Sequence, residues 1–385
     1  MNLTIILFGD NGYNTLGALR SLRMHNIDVF LLLVSKKRIN YILSSKFIQQ
    51  YQIVKNEQEG INFLLKNLPE VKTVILPTSD RSVSLLDRNY NKLKDNYIFP
   101  NVGQQDCLNE WMDKEKMITY AFQAGINVPF TFRYKKGNLI PEDVIYPCFI
   151  KPANSVLGSK KDIKKCNNNL ELEQILNDYK LDQEYLVQQY LDKEFDLLLI
   201  GVRLISNDKI IIPAVFVKER WYGMGDDGSM GKLTTDVEQY ISLKEVVSFV
   251  QSTNYYGPFS VEFGVVNNKA YFYEINFRND GTSHYFAGLN VNVPLIWILD
   301  AYGFDYSPHT DFKKEDYYFI DEFGDYLNIV TNHLSIRQWY KDFKRASVYK
   351  YYNKDDIKPF FFSMPYMVLL SLYKVLKHLI RKWKG

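Results

Sequence analysis

Two short segments near residue 270 hold the side chains with the clearest chemistry. Runs 259–266 and 269–276 are strand-like and meet at Asn267-Asn268, a pair that tolerates the positive φ of a tight hairpin turn. Glu262 lies on the first run, and Glu274 and Asn276 lie on the second. Residues two apart on a strand face the same way. Glu274, Asn276 and Arg278 therefore share a face that Glu262 can reach from the neighbouring strand. Two carboxylates and an amide oxygen are hard donors of the kind Mg2+ (or Mn2+) takes while keeping waters and phosphate oxygens. Arg278 would then stand where negative charge builds on a transferred phosphoryl group or an acyl phosphate. Read alone, the pattern describes a solvated acidic hairpin equally well.

Groups of complementary charge lie upstream. Lys151 closes the apolar strand YPCFIKP, and Lys114 opens a helix within WMDKEK. The stretch ANSVLGSKKDIKK, with Ser159 and Lys160, has the small and polar residues of a loop that folds over phosphates. A lysine after a buried strand is by itself an ordinary snorkelling side chain, so these two take their meaning from company. In EYLVQQYLDKEFD, Gln188, Gln189, Tyr190 and Leu191 offer polar edges to an adenine, and Glu194 offers a carboxylate to ribose hydroxyls. On its own this is a strand and a turn.

Such groups need a scaffold of strands. LTIILF (3–8), a glycine-containing turn, a helix, then IDVFLLLVS (27–35) and VKTVILPTSD (71–80) alternate strand and helix, the signature of a doubly wound α/β unit. Gly9, Gly12 and Gly17 lack the G-x-G-x-x-G spacing of a dinucleotide fingerprint. From 106 to 128 the pattern predicts a helix closed by Gly125 and stopped before Pro129. Strands then dominate, with helices over 169–180 and 242–253. The expected domains are 1–105, 106–303 and 304–385.

In that order and spacing, the helix lysine, the strand lysine with its loop, the QQYL hinge with Glu194 and the acidic hairpin resemble the ATP-grasp superfamily. The likeness spans roughly residues 1–303. It implies a Rossmann-like, pre-ATP-grasp α/β domain, an α+β ATP-grasp domain of two subdomains and, beyond these, a C-terminal helical extension. It implies ATP held by Lys114, Lys151, Ser159 and Lys160 on its phosphates, by Gln188, Gln189, Tyr190 and Leu191 at the adenine, and by Glu194 at the ribose. Glu262, Glu274 and Asn276 would hold Mg2+, with Arg278 and Lys151 as the catalytic cations. LPTSDRSVSLLDRN, DKEK…AGINVP and YEINFRNDGTSHYFAGLNVNVP narrow the resemblance to carboxylate–amine ligases of the D-aspartate ligase type. The glycine-rich segment 217–240 then becomes a cover for the site, with Lys218 and Arg220 on the acid substrate. Ser79 and Asp80, at a strand end, join the substrate set.

Composition bounds the rest. A net charge of +3 argues against a general nucleic-acid binder. Five cations and no acid follow residue 373, so the rest of the chain sums to about −2 (+3 minus +5). The apolar run before them is broken by Pro365 and is short of the roughly 20 residues a spanning helix needs. Leu376, Leu379, Ile380 and Trp383 on one side of a basic helix fit either an interfacial anchor or a helix docked on the protein. Three cysteines without paired spacing fit a reducing compartment, and the N-terminal residues read as a first strand rather than a leader.

The sequence thus reads as a cytoplasmic, ADP-forming carboxylate–amine ligase acting on small-molecule acid and amine substrates through an acyl phosphate. Peripheral contact with the inner face of the plasma membrane and a homodimer are compatible with it. Aspartate on a cell-envelope precursor is the specific expectation. The alternatives are amidation of a sugar carboxylate of a surface glycan and a non-catalytic nucleotide-binding module.

Overall fold

The computed structural model describes residues 3–37, 40–153, 163–178, 184–222, 228–236, 238–310, 317–365, 368–369 and 373. Three sheets organise it. The first is parallel: β1 (Thr4–Asp10), β2 (Asp28–Val34), β3 (Gln50–Val54), β4 (Thr73–Pro77) and β5 (Tyr97–Ile98), in the order β3-β2-β1-β4-β5. Its central strands are nearly continuous apolar runs because helices cover both faces; Ile5, Leu7, Phe8, Val74, Ile75 and Leu76 are all fully buried. β1 and β4 are neighbours, so their C-terminal ends, Asp10 and Thr78–Asp80, open side by side. Gly9 permits this closeness. A Cβ there would meet the Thr78 hydroxyl at 1.9 Å and the Thr15 hydroxyl at 2.4 Å.

The second sheet is antiparallel: β6 (Thr131–Lys135), β7 (Cys148–Pro152), β8 (Lys164–Cys166) and β9 (Glu184–Gln189), in the order β6-β9-β7-β8. Leu172 and Leu176 of the Asn169–Asn177 helix cover one face, against Ile150 and Val187. Cys148 and Cys166 are opposite one another in the β7–β8 register, and all three cysteines are free thiols.

The third sheet joins β10 (Phe195–Arg203), β11 (Ile210–Trp221), β12 (Gly228–Thr234), β13 (Gly257–Val266), β14 (Lys269–Asn276), β15 (Tyr318–Ile320) and β16 (Val348–Tyr349) in the order β14-β13-β10-β11-β12-β15-β16. The β13–β14 hairpin turns at Asn267 and Asn268 with φ of 49° and 60°, the left-handed geometry a two-residue turn demands. Val261, Phe263 and Val265 face a core with Met117, Ile118, Phe249 and Val250. The opposite face carries Leu198 and Phe216, which share a core with β1, β2 and β4. The sheet is thereby clasped to the parallel domain on the face that bears Glu262.

Two expectations are corrected. The helix foreseen over 106–128 is two, Cys107–Trp111 and Lys114–Gln123. Asp113 is the break: its side chain accepts from the N–H groups of Glu115 and Lys116 at 3.0 and 3.2 Å, a cap that outcompetes a helical interior position for aspartate. The chain beyond 304 is also not helical throughout, since β15 and β16 extend the third sheet. Arg20, fully buried on the helix after β1, donates to the Asp356 carboxylate at 3.0 Å and fastens this part to the first domain. The basic stretch 374–385 lies outside the described residues. Among the described residues no helix is long and apolar enough to cross a membrane.

Candidate active site

The hairpin register sets Glu262 directly opposite Glu274, and Ser260 opposite Asn276. The pairing shifts just after Glu262, which turns the local twist beside the two carboxylates. Asn276 donates through Nδ2 to Glu262 at 3.4 Å and to Ser260 Oγ at 3.2 Å, and its Oδ1 accepts from Arg278 at 3.3 Å. Four of the residues expected from the sequence thus converge on one face.

Charge on this face is unevenly neutralised. Lys114 Nζ lies 3.1 Å from Glu274 Oε2. Burial alone would raise the Glu274 carboxyl, but Lys114, then Lys151 and Arg278, hold it below its usual range. Glu262 goes the other way. Burial pushes it up to about 7, and nearby Glu274 and Asp280 add to the rise against the opposing pull of Lys218. Two carboxylates face each other here, and one is held uncomfortably as an anion. A divalent cation relieves that repulsion. Among the described residues no three acidic, imidazole or thiol side chains are arranged to hold a metal ion by themselves. The hairpin face offers two carboxylates, hard donors suited to an ion that completes its shell with water and phosphate, while the Asn276 oxygen is turned to Arg278 and its NH2 to Glu262.

Lys151 donates to Gln188 Oε1 at 2.7 Å, and Gln188 Nε2 donates to Thr131 Oγ1 at 2.9 Å. Buried Gln188 is thus tied at both ends of its amide, and it braces Lys151. The N–H groups of Gln189 and Tyr190 are donated to Phe130 O and Pro147 O, each at 2.8 Å, and Leu191 O accepts from the Lys193 N–H at 3.0 Å. Glu194 accepts from the hairpin-turn N–H of Asn267 at 2.9 Å. Ser159 and Lys160 lie outside the described residues, as does part of the 217–240 segment.

Beyond the hairpin lies a cavity of about 410 Å³. The ends of β1 and β4 supply Asp10, Gly12–Asn14 and Thr78–Asp80, and the third sheet supplies Leu198, Phe216, Lys218 and Glu262. The segment after β14 adds Arg278 and Asp280–Thr282, and the C-terminal part adds Phe319 and Lys350. Arg278 spans the two sides, with Asp80 Oδ1 at 2.8 Å and Asp280 Oδ2 at 3.4 Å. Asn14 donates to Thr78 O at 2.8 Å and to Asn279 O at 2.5 Å, closing the seam between domains. Ser79, Asp80 and Lys218 are therefore cavity residues. Ser79 also caps the Asp80–Arg88 helix, reciprocally with Ser82.

Arg220 is placed elsewhere. Its guanidinium makes two bonds to Asp325, at 2.9 and 2.7 Å, and one to Asp342 at 2.7 Å. All three of its nitrogens are spent on joining β11 to the helices Glu322–Val330 and Ile336–Arg345. Asp10, Asp280 and Lys350 are cavity residues that sequence reasoning missed. Asp10 and Asp280 had a weak signal, one ending the first strand and the other following the hairpin motif. Lys350 had none.

No family model matches this chain, and no curated protein matches it. Its fold does have solved counterparts. N5-carboxyaminoimidazole synthetase from Staphylococcus aureus is 18% identical with a TM-score of 0.63, over 87% of this chain and 88% of that one. L-amino acid ligase from Bacillus licheniformis is 13% identical, TM-score 0.59, over 78% and 74%. The biotin carboxylase domain dimer of Hydrogenobacter thermophilus 2-oxoglutarate carboxylase, in complex with MgADP, ADP and bicarbonate, is 14% identical, TM-score 0.59, over 81% and 73%. At these identities the likeness establishes that the chain shares the fold of these proteins.

Proposed function

We propose that this chain is an ATP-dependent, ADP-forming ligase that converts a carboxylate to an acyl phosphate and joins it to an amine. The observation that carries the reading is the Glu262–Glu274 cross-strand pair, with Lys114 on Glu274 and the cavity lined by Glu262 and Arg278 beside it. Structural neighbours crystallised with ADP, ATP or MgADP support the choice of nucleotide and ion. In this reading Glu262, Glu274 and Asn276 hold Mg2+, which supplies charge neutralisation on the phosphates.

The chain's own residues do the rest. Lys114 and Lys151 orient the phosphates, with Gln188 fixing the Lys151 ammonium. Gln189, Tyr190 and Leu191 line the adenine edge, and Glu194 takes the ribose. Ser159 and Lys160, which lie outside the described residues, are assigned to the phosphates as well. An acid in the cavity, oriented by Lys218 and flanked by Ser79 and Asp80, attacks the γ-phosphorus through a carboxylate oxygen. Arg278 then faces the acyl phosphate and the oxyanion that forms when an amine adds. No side-chain nucleophile is required.

Aspartate, in the D form, is the acid we favour, on a cell-envelope or surface-glycan precursor. The mixed charge of the cavity wall suits an amino-acid-sized polar substrate. Exposed Phe361 and Phe362 lead towards the basic C-terminal residues, and a cytoplasmic enzyme in peripheral contact with anionic lipid, single or as a homodimer, completes the reading. The test is ADP release across a panel of amino acids and sugar acids, with hydroxylamine trapping the activated acid as a hydroxamate. ADP and hydroxamate rising together with one acid support the proposal. ADP release that ignores every acid refutes it.

A further inference from the structure

We infer that Asp10 is the amine-receiving residue: its carboxylate takes the ammonium group of the nucleophile, removes one proton and presents the neutral nitrogen to the acyl phosphate. This rests on the ligase reading above and names the half of the site which that reading leaves unassigned. Asp10 ends β1 and forms part of the cavity wall. Its Oδ1 accepts the Gly12 N–H at 2.9 Å, and among the described residues it has no ion-pair partner. The other acids of the cavity wall are committed. Asp80 and Asp280 both hold Arg278, and Glu262 belongs to the metal face. A part-buried carboxylate left without a cation is costly unless a ligand supplies one.

Burial raises the Asp10 carboxyl above its ordinary range, against the opposing pull of the Gly12 N–H and of Arg278. That direction favours a proton acceptor. Arg278 lies close enough to be felt electrostatically, so an amine held at Asp10 stands beside the group assigned to the acyl phosphate. The step balances. R–NH3+ and the carboxylate become R–NH2 and the carboxylic acid. The nitrogen lone pair then forms the C–N bond as the acyl C–O bond to phosphate breaks. The second nitrogen proton leaves with the departing phosphate, and Asp10 returns its own proton to solvent.

Asp10 also has a structural task at Gly12, and the test must separate the two. Asp10→Asn keeps an oxygen for the Gly12 N–H while removing the charge. Two nucleophiles are compared on the acid selected by the panel: hydroxylamine, neutral at pH 7, and methylamine, almost wholly methylammonium there. Asp10→Asn is expected to lower N-methylamide formation at least about tenfold more than hydroxamate formation, the loss of one charge-assisted contact in the amine step. Asp10→Ser, the second variant, should show the same split. Equal losses with both nucleophiles in either folded variant would overturn the assignment, because a purely structural role moves both. Wild-type protein that uses hydroxylamine but never methylamine would overturn it too. Failure of the ligase reading looks different: wild-type protein then releases no acid-dependent ADP and traps no hydroxamate.

Discussion

Arg220 and the Glu262–Glu274 hairpin belong to one seven-stranded sheet, yet their charges are arranged in opposite ways. Around Arg220 every nitrogen of the guanidinium meets a carboxylate oxygen, and Asp325 behind it is fully buried. On the hairpin, two carboxylates face each other and are served unequally: burial pushes Glu262 up, while Lys114 and Lys151 hold Glu274 down. A cluster that serves the fold is neutralised by its own chain. A cluster that serves a ligand keeps an imbalance which the ligand corrects. Asp10, a wall carboxylate with no ion-pair partner among the described residues, falls on the ligand side of that division.

The comparison breaks most visibly at Arg220. Arg220→Met strands Asp325 and Asp342 as buried unpaired anions, which should cost on the order of 3–5 kcal/mol in urea unfolding. A loss below about 1 kcal/mol, the level of an exposed ion pair, would mean the cluster is not structural. Glu274→Gln should do the reverse. ADP release falls on the order of 100-fold, as expected for a lost metal contact, while the urea midpoint stays close to wild type. An intermediate effect is expected of Asn276→Ala, which raises the Mg2+ concentration for half-maximal ADP release roughly tenfold without lowering the rate at saturating ion.

Glu322 sharpens the division with the smallest signal, a slope rather than a loss. Burial pushes its carboxyl up to about 7 from an unperturbed 4.5, although the N–H groups of Tyr351 and Tyr352 oppose the rise. The folded state therefore holds this proton more tightly than the unfolded chain. Its contribution is fully present below about pH 4.5 and is lost as pH rises towards 7. Stability curves of wild type and Glu322→Gln should accordingly diverge across that window, with the variant flatter. Parallel curves would show that Glu322 is ordinary.

The hairpin was legible because everything that defines it is local. An asparagine pair fixes the turn, and the two-residue period fixes which side chains share a face. The Lys114 helix and β7 were equally local. Arg220 misled because a sequence displays a charge but not its partners, which here lie 105 and 122 residues away. Lys350 was invisible for the same reason. Nothing in Val348-Tyr349 announces that two residues pair in parallel with Phe319-Ile320 and bring a lysine to the cavity. The bonds of Gln188 to Lys151 and Thr131 were not legible either, because they join three strands far apart in the chain.

The central claim is that Glu262 and Glu274 together hold a divalent cation against a triphosphate. Calorimetric titration of a non-hydrolysable ATP analogue, with and without Mg2+, into wild-type protein and Glu274→Gln tests it most directly. The account predicts strong binding to wild type only when Mg2+ is present, and little gain from Mg2+ in the variant. Equal Mg2+ enhancement in both proteins, or no analogue binding to wild type, would contradict it.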